Sequence, residues 1–297
     1  MERIRLGLEW FTNPDHVPFF VAKEKGWLAE AGIELELVEP KEHMDAVTEI
    51  REGRMDVAVT EPIHLVADRA AGASVVGFAR FLHTNGGVMY REGRGIERPR
   101  DMAGKRLQYP GAPGPGGPAI VRTMIEADGG AKGAELVPVN NGFMHTDALL
   151  DDKAELATLV FYNFEVVEAR HRGADVGFFA LKDWGVPDFC QLILITSTEA
   201  FEAKRGLLAK LCRVVQRGID FIKQRPEEAR AIYERATGQA SSEGLGRAIF
   251  EATVPCFTYD FAMSSDYYAA LERWMLATGQ IAALPERGYW SNELALG

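Results

Sequence analysis

Apolar and polar positions alternate from the start of the chain, with Ile4, Leu6 and Leu8 set against Arg5, Gly7 and Glu9. A period of two predicts a strand. Asn13-Pro14-Asp15 then supplies turn chemistry and capping side chains. Phe19, Phe20, Ala22 and Lys23 carry a helix on to Gly26, a residue suited to stop it. The pattern next predicts a strand over 33–38, a helix over 45–52, a buried strand over 55–59, a helix over 62–71 and a strand over 75–81. A second series begins near residue 91, with strands over 106–109, 136–139 and 156–161 and helices over 119–127, 146–150 and 166–171. After a strand over 191–196 the chain reads as helical over 207–223, 226–236, 243–252 and 266–277, with Pro226 at a first-turn position.

Such alternation predicts an α/β protein. The expected organisation is two lobes, each a mixed sheet flanked by helices. Lobe I takes 1–90 and 191–297, including the C-terminal helices, and lobe II takes 91–190. A ligand is expected in the cleft between them. His83-Thr84-Asn85-Gly86-Gly87 lies at the first crossing, where its glycines suit either a hinge or an ordinary hairpin turn. Asp183, Trp184, Asp188, Phe189 and Cys190 flank the return, with Trp184 either an aromatic wall or a covered loop residue.

Composition narrows the class. A chain of 297 residues is long enough for two cores, and 47% hydrophobic with 26% charged residues is an ordinary globular balance. A net charge of −10 argues against nucleic acid as a partner and leaves no polybasic membrane patch. No run reaches the ~18 apolar residues of a membrane span, so no direct membrane insertion is expected. Cys190, Cys212 and Cys256 make neither a zinc motif nor a disulfide framework and read as buried thiols. Met1 is not followed by an apolar leader, so the expected location is cytoplasmic if Met1 is the native start, and periplasmic or extracytoplasmic if a leader was trimmed.

Candidate chemistry gathers at strand ends. Trp10, Asn13 and His16 fall at the carboxyl end of the first strand, where open α/β sheets place ligands. One stacking face and two hydrogen-bonding groups suit a small, flat, polar molecule. Thr60 and Glu61 follow the buried strand, Thr60 as a cap and Glu61 in the first turn of the next helix. His64, one turn in, faces either a ligand or a neighbouring helix. The Gly/Pro-rich run 111–117 opens a helix, so the amides of Gly114, Gly116 and Gly117 either meet ligand oxygens or form a tight structural turn. It is not a Walker A loop, because no Gly-Lys-Ser/Thr follows. In 160–165, Tyr162 is expected to stack on a heterocycle and Glu165 to accept from an amine, with at least one of Phe161 and Phe164 in the core. His43, His145 and His171 need only surface or capping roles. With no nucleophile elbow, zincin motif or clustered metal ligands, no catalytic residue, metal or cofactor is expected.

The run from Leu8 through Trp10, Asn13 and His16, with Val21-Ala-Lys-Glu-Lys-Gly-Trp27 and Leu35-Glu-Leu-Val-Glu-Pro40, resembles the thiamin-pyrimidine-precursor family. That family joins substrate-binding proteins of ABC importers with fungal-type hydroxymethylpyrimidine phosphate synthases. The run 111–117 and Tyr162-Asn-Phe-Glu165 resemble further family motifs, and the likeness covers roughly residues 4 to 280. It implies a type II periplasmic-binding-protein fold whose two lobes close on a heterocyclic ligand such as an aminopyrimidine. It also implies an ABC permease as partner and a monomeric state.

The synthase branch uses pyridoxal phosphate, iron and a histidine of its own chain. It holds the cofactor on a lysine four residues before that histidine and carries a Cys-Cys-Cys-Phe-Cys run. His64 matches the histidine, but Thr60 stands at the lysine position, and Val186-Pro-Asp-Phe-Cys190 keeps only the final Phe-Cys. The expectation is therefore a binding protein. The alternatives are a synthase centred on His64, a same-fold binder of sulfonate or taurine-type anions with Arg80 and Arg91 as the nearest cations, and a cytoplasmic ligand-sensing module.

Overall fold

The structure is a computed structural model, and it describes residues 1–40, 46–239 and 244–295. His43 and the expected helix starts at Asp45 and Glu243 lie outside the described residues. Two compact units divide the chain: unit 1 is Met1–His83, Gln191–Glu272 and the stretch from Ile281 onward, and unit 2 is Thr84–Cys190 with Arg273–Gln280.

In chain order the elements are β1 (Glu2–Gly7), α1 (Val17–Glu24), α2 (Trp27–Glu30), β2 (Ile33–Val38), α3 (Ala46–Arg51), β3 (Val57–Thr60), α4 (Pro62–Ala70) and β4 (Val75–His83). Unit 2 adds β5 (Gly86–Arg91), β6 (Arg106–Gln108), α5 (Gly116–Ala127), β7 (Val137–Val139), α6 (His145–Leu150), β8 (Leu156–Phe161), α7 (Val167–His171) and β9 (Val176–Ala180). The return supplies β10 (Gln191–Ser197), α8 (Thr198–Ala203), α9 (Arg205–Gln224), α10 (Pro226–Thr237), α11 (Leu245–Thr253) and α12 (Ser265–Ala277).

Each unit has a five-stranded sheet among the described residues, ordered β2-β1-β3-β10-β4 in unit 1 and β7-β6-β8-β5-β9 in unit 2. In unit 1, β1 runs parallel to β2 and β3, while β10 is antiparallel to β3 and β4. Unit 2 repeats the scheme: β6 is parallel to β7 and β8, and β5 is antiparallel to β8 and β9. In both, the strand that follows a crossing is the antiparallel one, fourth in the order.

Strands covered on both faces read as continuous apolar runs. Val57, Ala58 and Val59 of β3 and Leu192, Ile193, Leu194 and Ile195 of β10 are all buried. The amphipathic α9 lays Leu211, Val215 and Ile219 inward and packs on α1.

Residues 84–90 go with unit 2 instead of lobe I, because β5 bonds β8 and β9, and 273–280 also join that unit. Gly86 and Gly87 are strand residues set by packing, where a hinge or hairpin was expected. A Cβ on Gly87 would stand 2.3 Å from the Phe179 carbonyl oxygen, and one on Gly86 would meet the Cys190 sulfur.

Candidate functional site

In unit 1, polar side chains gather where β1 and β3 end. Leu6 pairs with Val57 and Gly7 with Ala58. Glu9 and Trp10 therefore leave the end of one strand where Thr60 and Glu61 leave the end of its neighbour.

The turn after Trp10 is a capped 3₁₀ segment, Pro14–His16. The Asn13 side-chain oxygen accepts the Asp15 N–H at 2.8 Å, and its amide donates to the Phe11 carbonyl at 3.0 Å. The Asn13 backbone N–H donates to Nδ1 of His16 at 3.2 Å, and Nε2 of His16 lies 3.1 Å from both oxygens of Glu9. An accepting Nδ1 carries no proton, so Nε2 holds it and donates to Glu9. Burial lowers the His16 pKa, but the charge and hydrogen bond of Glu9 outweigh it, with Asp15 and Glu39 adding, and the net direction is upward. A second proton would have to face the Asn13 N–H, so the cap geometry favours the neutral tautomer.

Asn13 and His16, expected as ligand donors, make these contacts within the turn itself. Both are buried, and their bonds build the turn and orient Glu9. Trp10 keeps partial exposure, its ring 4.1 Å from that of Phe11.

Glu61, not Thr60, occupies the N-cap position of α4, and it makes no side-chain capping bond. Among the described residues no group hydrogen-bonds its carboxylate. Burial first, and then the negative charge of Glu9, push its pKa up to about 8. The side chain therefore holds its proton at neutral pH. His64 is exposed, with Nδ1 3.5 Å from the Thr60 hydroxyl. Thr60 is buried and offers only that hydroxyl, which forms no imine. The residues present do not fit pyridoxal phosphate held at this position.

In unit 2, residues Tyr162–Val166 form a π turn at the end of β8. Such turns recur at functional sites. Leu159, just ahead of it, has a φ of 62°, where the β5–β8 ladder shifts register. Left-handed backbone is costly for leucine. Glu165 is buried, and Oε2 accepts the Phe161 N–H at 2.9 Å. Its Oε1 lies 4.0 Å from Nε2 of His145. His145, expected at the surface or at a cap, is buried, and its Nδ1 has no hydrogen-bond partner among the described residues. Burial pushes its pKa down to about 4, so the ring is neutral.

Tyr162 is partly exposed. Its hydroxyl accepts from Arg170 at 2.9 Å, and its ring meets Phe178 edge-on at 5.1 Å. Neither Phe161 nor Phe164 is fully buried; Asn163 is, accepting the Thr84 hydroxyl at 2.7 Å. That corrects the expectation of a core phenylalanine.

The glycine run is in part a packing device. A Cβ on Gly117 would stand 2.5 Å from the Tyr109 ring, whose hydroxyl donates to the Gly114 carbonyl at 2.7 Å. The Gly114 N–H is spent on the Gly111 carbonyl. Gly116 opens α5, whose first-turn N–H groups lack intrahelical acceptors.

The cations of the anion reading are engaged elsewhere: Arg80 donates to the Ala262 carbonyl and Arg91 to the Leu149 carbonyl. Sequence reasoning passed over Glu9 and His145. Glu9 looked like the polar partner in an alternating strand, yet β1 ends at Gly7. The neighbouring Trp10 was the signal available for it.

Known proteins bear on these arrangements. The chain is 27% identical over 231 residues, 77% of its length and 69% of the relative's, to the formylaminopyrimidine-binding protein of Halalkalibacterium halodurans. It is 29% identical over 260 residues, 86% of its length and 80% of the relative's, to the 4-amino-5-hydroxymethyl-2-methylpyrimidine phosphate synthase of Legionella pneumophila. The alkanesulfonate-binding protein SsuA of Xanthomonas axonopodis pv. citri, bound to MOPS, superposes with a TM-score of 0.72 at 12% identity, covering 97% of this chain and 96% of that one. A ligand-binding component of an ABC-type import system from Staphylococcus aureus, with zinc bound, gives 0.75 at 12% identity over 99% and 98%. These likenesses show the fold: a two-lobed α/β periplasmic-binding-protein architecture. Residues 13–229 match the family described as NMT1/THI5 like, and the chain belongs to that family.

Proposed function

We propose that this protein is the substrate-binding protein of an ABC-type importer and that its ligand is an aminopyrimidine of the thiamin-precursor kind. The carrying observation is the strand-end cluster of unit 1, where Trp10 offers a ring face beside Glu9 and Glu61. Carboxyl groups suit amine donors and ring nitrogens, and an acidic cluster repels a sulfonate. Tyr162 and Glu165 in unit 2 offer the same pairing of ring and carboxylate. The resemblance to a formylaminopyrimidine-binding protein supports this ligand class. The reading brings a permease as partner, a monomeric state and a place outside the cytoplasmic membrane. Among the described residues no helix is long and apolar enough to cross that membrane.

A thermal-shift screen against aminopyrimidines, alkylsulfonates, taurine and pyridoxal phosphate tests the proposal. A ligand held at 100 times its Kd stabilises the fold by ~2.7 kcal/mol. Stabilisation by aminopyrimidines alone is expected. Stabilisation by sulfonates instead would mean an anion binder. An absorbance band on adding pyridoxal phosphate would return attention to His64, in keeping with the relatives named as synthases. Trp10→Ala is expected to cost roughly 1–3 kcal/mol of aminopyrimidine binding by calorimetry; an unchanged affinity would remove Trp10 from the site.

A further inference from the structure

Two buried histidines stand beside a glutamate in this protein, and their settings differ. Nε2 of His16 closes on Glu9 at 3.1 Å while Nδ1 accepts the Asn13 N–H, so that pair is a finished part of its turn. His145 and Glu165 in unit 2 are 2% and 4% exposed, yet Nε2 of His145 stops 4.0 Å from Oε1 of Glu165. That is beyond hydrogen-bond reach. Nδ1 of His145 is covered and has no hydrogen-bond partner among the described residues. Buried polar groups are nearly always satisfied, so an imidazole left in this state calls for a reason.

The gap is held open from both sides. Glu165 sits in the π turn Tyr162–Val166, where the Phe161 N–H fixes its Oε2 at 2.9 Å. Leu159, just ahead of that turn, carries left-handed backbone, a strain found at functional sites. On the other side, the fully buried Gln108 at the end of β6 accepts the Asn141 N–H at 2.7 Å and donates to the Gly142 carbonyl at 2.8 Å. The His145 N–H then bonds the Phe143 carbonyl at 3.0 Å, which sets the start of α6. Both side chains therefore leave anchored backbone in the connections that follow β7 and β8. Open α/β sheets bind ligands beyond the carboxyl ends of their strands.

We propose that His145 is a recognition residue and that, with Glu165, it reads the edge of a neutral aminoheterocycle. Glu165 accepts from the exocyclic amine, and the Nε2–H of His145 donates to the ring nitrogen beside that amine. A proton on the covered Nδ1 would meet no acceptor, whereas one on Nε2 faces the gap. Burial keeps the ring neutral, so it is a donor without charge. A space too wide for a direct bond between the two side chains takes two neighbouring polar atoms, each bonded to one of them. This rests on the aminopyrimidine reading above and adds the group that tells a ring nitrogen from a ring carbon. No proton moves on binding. A ring with an amine but no neighbouring nitrogen leaves the Nε2–H unmet, and a sulfonate finds one neutral donor beside a carboxyl group.

Titration calorimetry with formylaminopyrimidine and its pyridine analogue, in which C–H replaces the ring nitrogen beside the amine, tests the pair in wild type, His145→Phe and His145→Gln. Wild type is expected to bind the analogue at least about tenfold more weakly. His145→Phe keeps the ring's bulk without its donor. It should lose about tenfold on formylaminopyrimidine and bind the two compounds within about threefold of each other. His145→Gln places an amide N–H near the Nε2 position and should restore both affinity and discrimination. A His145→Phe protein that binds both compounds more weakly and still separates them would overturn the pair while leaving the aminopyrimidine reading intact. Wild type that binds the two compounds alike would do the same. Failure of wild type to bind any aminopyrimidine would overturn that reading, and the pair with it. Imidazole-nitrogen NMR of the wild-type protein needs no variant to fold. An Nε2–H tautomer whose proton signal shifts on adding formylaminopyrimidine supports the pair; an Nδ1–H tautomer, or a signal that stays in place, overturns it.

Discussion

A proton that Glu61 retains when folded is one the unfolded chain gives up far earlier, so this side chain makes stability depend on pH. Its pKa rises from 4.5 to about 8 on folding. The folded state therefore binds more protons in that window, and stability falls as pH climbs through it. Glu61→Gln removes the penalty: melting of the free protein should be unchanged near pH 4.5 and higher for the variant above pH 8. The gain is on the order of 1–3 kcal/mol once partial exposure is allowed for. His145 has the opposite sign. Its pKa falls from 6.5 to about 4, so the unfolded state takes the extra proton and stability drops as pH falls between those values. The loss is on the order of 3 kcal/mol. His145→Asn should flatten the urea-denaturation profile across that interval; an unaltered slope would show that the imidazole titrates normally.

At the scale of elements, the start of α5 depends on a missing side chain. Gly117→Ala would push a methyl into the Tyr109 ring, which its hydroxyl anchors to the Gly114 carbonyl. Chemical denaturation should show a loss of about 1–3 kcal/mol, and Tyr109→Leu in the same chain should recover part of it. Strands 33–38 and 156–161 were legible to the residue because their patterns are uninterrupted and their ends are marked. β5 was not, since it begins Gly86-Gly87 and glycine pairs read as turns, while their real cause is the close approach of β9 and Cys190. β9 and α8, five and six residues long, were not read from the pattern. The site was legible as a place more than as a set of roles. The strand-end run drew attention to Trp10 and Glu61, but not to the bonds by which Asn13 and His16 build the turn. Nor does composition distinguish the buried His145 from a surface histidine; only packing against the π turn reveals it.

For the whole molecule, the sheet of unit 1 is not built from one uninterrupted stretch of chain, whereas β5 to β9 of unit 2 all lie between Gly86 and Ala180. β3 and β4 do not pair with each other; both pair with β10, which the chain reaches only after it has passed through unit 2. A fragment comprising residues 1–190 should therefore expose unpaired strand edges and be cleaved rapidly by protease where the full chain resists; a resistant fragment would mean that another segment fills the gap. The same wiring sets a clock during synthesis. At ~5–20 residues per second, β10 emerges roughly 5–20 s after β4. Through that interval the nascent chain lacks the strand that joins β4 to β3. A newborn chain kept from closing is one that a chaperone or a translocation channel can still hold as an extended thread.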